Sequence, residues 1–175
     1  MAIRHDQGIV LRSYAFGESD RVVIILSPNH GKLRTVAKGV RKTKSRFGGR
    51  LEPLTQIDLV LYEGRNLDTI TQVSVIEFFP HIRDHLDRVG IAGAMLSVVD
   101  AVAQEDESAH RLFLLLHRAL RVLNESPPDP GLLTAFYLKL ASLVGVAPAL
   151  TDCASCGSEL DVDRFSFSAG GVVCS

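Results

Sequence analysis

The chain has three cysteines, and all fall within its last 23 residues, at Cys153, Cys156 and Cys174. Cys153-Ala154-Ser155-Cys156-Gly157 is a C-x2-C turn, a local bend that lets two thiolates approach one Zn²⁺ at tetrahedral angles. Cys174 follows after seventeen residues, just behind a second turn at Ala169-Gly170-Gly171. The spacing fills three of the four positions of a paired C-x2-C site, which predicts one structural Zn²⁺. The fourth cysteine of that pattern would fall two positions beyond Ser175, so the fourth ligand is not in the chain. Asp152 or water is left to complete the shell. Three unrelated thiols or a redox C-x2-C are the competing readings, and the redox one lacks a βαβ setting.

The second candidate is cationic. Between Asp20 and Glu52 the chain has no acidic residue, yet Arg21, Lys32, Arg34, Lys38, Arg41, Lys42, Lys44, Arg46 and Arg50 all lie there. A cation that meets a phosphate releases condensed counterion, so such a cluster can supply most of a sequence-independent nucleic-acid affinity. Lys32, Arg34, Lys38, Arg41, Lys42, Lys44, Arg46 and Arg50 are therefore the candidate nucleic-acid-binding residues, against the plainer reading of a solvated loop. Tyr14, Phe16, Phe47 and Tyr62 could stack on bases, although each taken singly is better read as core.

Catalytic patterns are weak. His81 and His85 stand four apart on a helical stretch without the glutamate of HExxH, and they read as surface histidines. Asp84 and Asp87 read as partners of a helix N-terminus rather than as an acid–base pair. GxSxG, GxxxxGK[ST] and GxGxxG are all absent from the sequence. A zinc hydrolase or deaminase using Glu159 would need an H-x-E context that the sequence lacks. The expectation is a binding protein, not an enzyme, with no small-molecule substrate.

Elements that would position these residues follow from periodicity. Five β-branched runs, 8–14, 21–27, 33–38, 56–62 and 68–78, are separated by turn residues such as Pro28-Asn29-His30-Gly31 and Glu63-Gly64-Arg65-Asn66. A long basic connection, 39–55, separates the third run from the fourth, which suits an OB-type barrel, with an SH3-like barrel as the alternative. After Pro80 the period lengthens to that of helices, drawn over 82–103, 108–124 with Ser108 as N-cap, and 132–144. The last has one charged residue, Lys139, and is expected at the centre of a bundle. The fold class is thus α+β, divided as a barrel at 1–80, a helical domain at 81–149 and a cysteine tail at 150–175.

The net charge of −1 conceals this division: residues 1–80 hold 12 basic and 8 acidic side chains, the remainder 7 and 12. The longest stretch free of charge, Leu140 to Thr151, is twelve residues. That is short of the roughly 20 a membrane-spanning helix needs. The opening MAIRHD lacks the apolar core of a secretory signal, so a cytoplasmic protein is expected.

The motifs also carry a family resemblance. Gly8-Ile9-Val10-Leu11, Gly17-Glu18-Ser19-Asp20, Gly31-Lys32, Lys38-Gly39-Val40-Arg41-Lys42 and Ser45-Arg46-Phe47-Gly48-Gly49-Arg50-Leu51-Glu52-Pro53 resemble the RecO family of bacterial DNA repair and recombination proteins. In the tail, Pro148, the C-x2-C-G turn, Phe165 and Gly170-Gly171-Val172-Val173-Cys174 agree with that family's zinc-bearing region. The resemblance implies an OB-fold domain followed by a helical domain with a zinc finger. It further implies a nucleoid-associated recombination mediator that binds single- and double-stranded DNA, anneals strands, and associates with RecR and the single-strand-binding protein so that RecA can load. Lys38, Arg41, Lys42, Lys44, Arg46 and Arg50 match the motif that would contact DNA. The alternative from another class is a scaffold whose basic loop binds acidic protein tails.

Overall fold

The computed structural model describes residues 2–41, 47–127, 129–159 and 161–175. They form two compact units, residues 1–132 and 133–175, each taken by itself below.

The first unit opens with β1 (Ile3–Phe16), β2 (Asp20–Ser27), β3 (Gly31–Ala37), a 3-10 turn at Gly48–Leu51, β4 (Thr55–Tyr62) and β5 (Asp68–Phe78). β1 serves two partners, pairing with β4 through Ile3 to Ile9 and with β2 through Ile9 to Phe16. β3 meets β5 in parallel at Thr35 and Val36, which closes the barrel in the order β1-β2-β3-β5-β4. This is the OB-type arrangement of the two that the strand count allowed. The alternation expected in β4 holds, with Ile57, Leu59 and Leu61 fully buried beside Val10, Val23, Ile25, Leu33 and Ile70. Each contributes about 1.5–3 kcal/mol by leaving water. Phe47 and Leu51, from the connection after β3, join the same core.

β2 reads as an unbroken apolar run because both its faces are covered. Val23 and Ile25 point into the barrel, while Val22, Ile24 and Leu26 are equally buried on the outside, where helix packs against β1 and β2. The helices are α1 (Pro80–Arg83), α2 (Leu86–Val102) and α3 (His110–Glu125). The single helix drawn over 82–103 is in fact broken: His85 is extended and His85 Nδ1 meets the oxygen of His81 at 3.0 Å, satisfying an α1 carbonyl. Leu86, just beyond the break, is 87% exposed. Ala92, Met95, Leu96 and Val99 are the buried residues of α2. Ser108 does not cap α3 either; Ala109 holds the N-cap position, and Ser108 Oγ donates to the oxygen of Pro28 at 3.3 Å.

Gly31 is required where barrel and helices meet. Its φ is +66°, and a Cβ there would overlap the carbonyl oxygens of Gln104 and Glu107. The close approach lets Lys32 N donate to Gln104 O at 2.8 Å and Ala109 N to Pro28 O at 3.0 Å.

The second unit contains most of α4 (Gly131–Leu143), then β6 (Val162–Ser166) and β7 (Gly171–Cys174), an antiparallel pair. α4 ends in a Schellman motif: Gly145 takes φ +81°, Val146 N donates to Ala141 O and Gly145 N to Ser142 O. The expectation of a central bundle helix is not met. Only Phe136 and Leu140 of α4 are buried, and Tyr137 and Leu138 face outward, because an apolar composition states what a helix can bury and not what lies beside it. Among the described residues no helix is long and apolar enough to cross a membrane.

Candidate nucleic-acid interface and metal centre

The basic segment starts on β3, whose alternation puts Lys32 and Arg34 on the outer face. There they meet acids from beyond the barrel. Lys32 Nζ donates to the main-chain oxygen of Asp100 at 2.7 Å and lies 3.8 Å from its Oδ1, and Arg34 lies 3.9 Å from Glu105. Arg12 of β1 also reaches Asp100, at 2.6 Å. Arg21 pairs with Glu52 at 2.8 Å. A polar cavity of about 370 Å³ beside β3 is lined by Arg4, Arg65, Glu63 and Asp68 as well as Lys32 and Arg34, so charge there is mixed.

Beyond β3 the setting changes. Lys38 and Arg41 are exposed, and the loop that carries them is held against the β1–β2 turn. Gly39 N donates to Asp20 Oδ1 at 2.8 Å, Arg41 N to Ser19 O at 2.9 Å, and Arg41 Nη1 to Gly17 O at 3.3 Å. These bonds order the entrance of the long connection. Its far end is held by Arg83, which donates to Pro53 O at 2.6 Å and Thr55 Oγ1 at 2.8 Å with its guanidinium over the Phe78 ring. Burial lowers the Arg83 pKa, with the charge of Glu52 opposing. Arg50 is exposed on the 3-10 turn. Lys42, Lys44 and Arg46 lie outside the described residues.

Of the aromatic residues, Phe47 is core, as expected. Tyr14, Phe16 and Tyr62 are not; they are 40%, 50% and 39% exposed. For Tyr14 and Phe16 the reason is that β1 runs on past its pairing with β4, so their faces project from the β1–β2 ribbon.

In the second unit Cys153 and Cys156 each lie 3.7 Å, sulfur to sulfur, from Cys174, and all three sulfurs fall within 4.8 Å of one another. Zn–S bonds of about 2.3 Å at tetrahedral angles place sulfurs about 3.8 Å apart. The cluster therefore fits a metal of that size and softness. The C-x2-C turn is set by Gly157 at φ +75°, with Gly157 N donating to Cys153 O at 2.8 Å. Ala154 N then donates to Val172 O at 2.7 Å, which brings β7 and Cys174 to the turn. Backbone N–H groups, that of Cys174 foremost, lower the Cys153 thiol to about 6. The hydrogen bonds and charge of Cys153 and Cys156 push Cys174 up to about 11. One thiol is thus readied as an anion while its neighbour resists becoming a second one, the electrostatic situation that a bound cation relieves. Asp152 accepts from Thr151 Oγ1 at 2.6 Å. Among the described residues the metal-type cluster consists of the three cysteines.

His81 and His85 each turn Nδ1 to a main-chain oxygen, His81 to that of Asn124 at 3.1 Å and His85 to that of His81 at 3.0 Å. Asp100 and Glu105 are the groups that sequence reasoning missed. They lie 68 and 71 positions from their β3 partners, too far for any periodicity to couple them.

Residues 1–79 match the family model described as Recombination protein O N terminal, and residues 83–175 the model described as Recombination protein O C terminal. The protein named DNA repair protein RecO in Rubrobacter xylanophilus is 43% identical over 177 residues, covering 99% of this chain and 71% of that protein. The protein of the same name in Thermobifida fusca is 43% identical over 178 residues, covering 100% and 73%.

Proposed function

The chain belongs to the RecO family, and from that premise we propose that it acts as a recombination mediator in DNA repair. It binds single- and double-stranded DNA, anneals complementary strands, and helps RecA load onto DNA covered by the single-strand-binding protein, in association with RecR. The work is binding rather than catalysis, carried out in the cytoplasm at the nucleoid.

The observation that carries this reading is the exposure of Lys38 and Arg41 on a loop bonded to the β1–β2 turn through Gly39 and Arg41, at the start of a stretch whose sequence holds no acid before Glu52. Cations carried on a fastened backbone lose less freedom on meeting phosphates, and their affinity is electrostatic and indifferent to sequence. Lys38, Arg41 and Arg50, with Lys42, Lys44 and Arg46, are the principal contacts; Lys32 and Arg34 contribute from the strand before them. One Zn²⁺ on Cys153, Cys156 and Cys174 supplies a structural cross-link for the second unit, with its fourth ligand outside this set.

Charge reversal at Lys38 and Arg41 tests the assignment. The expected result is a loss of strand binding and of annealing together, steepest at low salt. Unchanged annealing by the double variant would overturn the site, as would stronger competition from an acidic peptide than from single-stranded DNA.

A further inference from the structure

Arg12, Tyr14 and Phe16 alternate along β1 and so project from one face of it. They lie in the part of the strand that pairs with β2 alone, Arg12 opposite Ile24, Tyr14 opposite Val22 and Phe16 opposite Asp20. β3 continues the same lines, with Arg34 opposite Ile24 and Val36 opposite Val22. Lys38 follows one residue past the strand. On the lines of Arg12 and Tyr14 the β2 and β3 residues Ile24, Val22 and Val36 are buried, but at the open end of the ribbon the exposed Lys38 lies on the line of Asp20 and Phe16, two strand spacings or about 9.6 Å from the ring-bearing row.

The two rings are 40% and 50% exposed, so both have ring surface open to a ligand. One side of Tyr14 is already occupied by the Arg12 guanidinium, 5.4 Å from the ring centroid and anchored by Asp100. The carboxylate of Asp20, paired with Phe16 across the strands, is engaged by Ser19 Oγ and Gly39 N. Alternate residues on a strand repeat every ~6.8 Å, which is twice the ~3.4 Å thickness of a stacked base. The interval between the two rings thus matches one base.

We infer that Tyr14 and Phe16, with Arg12 beside them, are a stacking rail for the bases of a single strand, with the backbone passing over Lys38 and Arg41 of the loop after β3. The inference deepens the nucleic-acid reading above and rests on it. A duplex keeps its bases paired inside and cannot use the rail, whereas an unpaired strand can, and stacking tolerates every base because each has a π-face. The rail is the element that would let this chain distinguish single strands from duplex.

The test compares Tyr14→Ala, Phe16→Ala and the double variant with the parent chain on a labelled single-stranded oligonucleotide and on its duplex. The expected result is a single-strand affinity lower by roughly five- to a hundredfold for each ring, duplex affinity held within about twofold, and an unchanged salt slope. Tyr14→Phe retains the affinity, since only the π-face is used. The chain has no tryptophan, so Phe16→Trp gives a single reporter whose fluorescence is quenched by single strands. Unaltered single-strand affinity in the double variant overturns the rail, and so does an equal loss on both substrates. If the parent binds neither substrate, the nucleic-acid reading itself fails, a distinct outcome.

Discussion

Lys32 Nζ lies 2.7 Å from the main-chain oxygen of Asp100, so a cation of the third strand closes the C-terminal turn of α2. The same residue receives Arg12 on its carboxylate. A group read as part of a ligand surface is thereby also a fastening between barrel and helices. Removing Lys32 deletes a charge from the negative end of a helix and a part-buried hydrogen bond to the Asp100 main-chain oxygen. Lys32→Gln is expected to cost about 1 kcal/mol, seen as a lower midpoint in urea, with a smaller effect on strand affinity than Lys38→Gln. A variant of unchanged stability would show that the contact does not hold the seam.

Lys38 and Arg41 are expected to show the opposite balance. Charge reversal at either should leave the urea midpoint within about 0.5 kcal/mol and reduce the salt slope of single-strand binding by about 0.7 per lost phosphate contact. Titrations of anisotropy across a range of salt concentrations measure both slope and affinity. A slope equal to that of the parent chain would remove these two residues from the contact surface.

Gly31→Ala is expected to destabilise the first unit by about 2–3 kcal/mol, because the position needs φ +66° and the new methyl overlaps two carbonyl oxygens. Retention of the parent midpoint would mean that the 104–107 segment shifts freely, and amide exchange at Lys32 would then be fast.

Metal analysis of the chain purified without chelator should give one zinc per molecule, and Cys153→Ser or Cys174→Ser should abolish it. A chelator should loosen the β6–β7 ribbon, read as faster exchange of the Ala154 and Val172 amides, while the barrel is unaffected. Full protection of those amides in metal-free protein would show that the ribbon stands without a cross-link.

The barrel was legible because its signals are local. The period-two row Ile57, Leu59, Leu61 and the turn at Pro28-Asn29-His30-Gly31 each specify their own element, and the cysteine spacing alone anticipates sulfurs 3.7 Å apart. What failed depended on neighbours. The apolar sequence of α4 says nothing about which surface it faces, and Ser108 has the chemistry of an N-cap but found Pro28 first. The break at His85 was equally hidden, since no local signal announces an extended residue whose imidazole meets the main-chain oxygen of His81. In the site, eight cations in one stretch looked equivalent until Asp100 and Glu105 arrived from another part of the chain to engage two of them.

Those two engagements make the barrel–helix seam an exchangeable contact. A polyanion that draws Lys32 or Arg34 toward itself must first take it from Asp100 or Glu105, so the energy of holding the helices is subtracted from the energy of binding at these residues. By linkage the reverse also holds: whatever tightens the seam lowers the affinity of this part of β3 for phosphate, by the same factor.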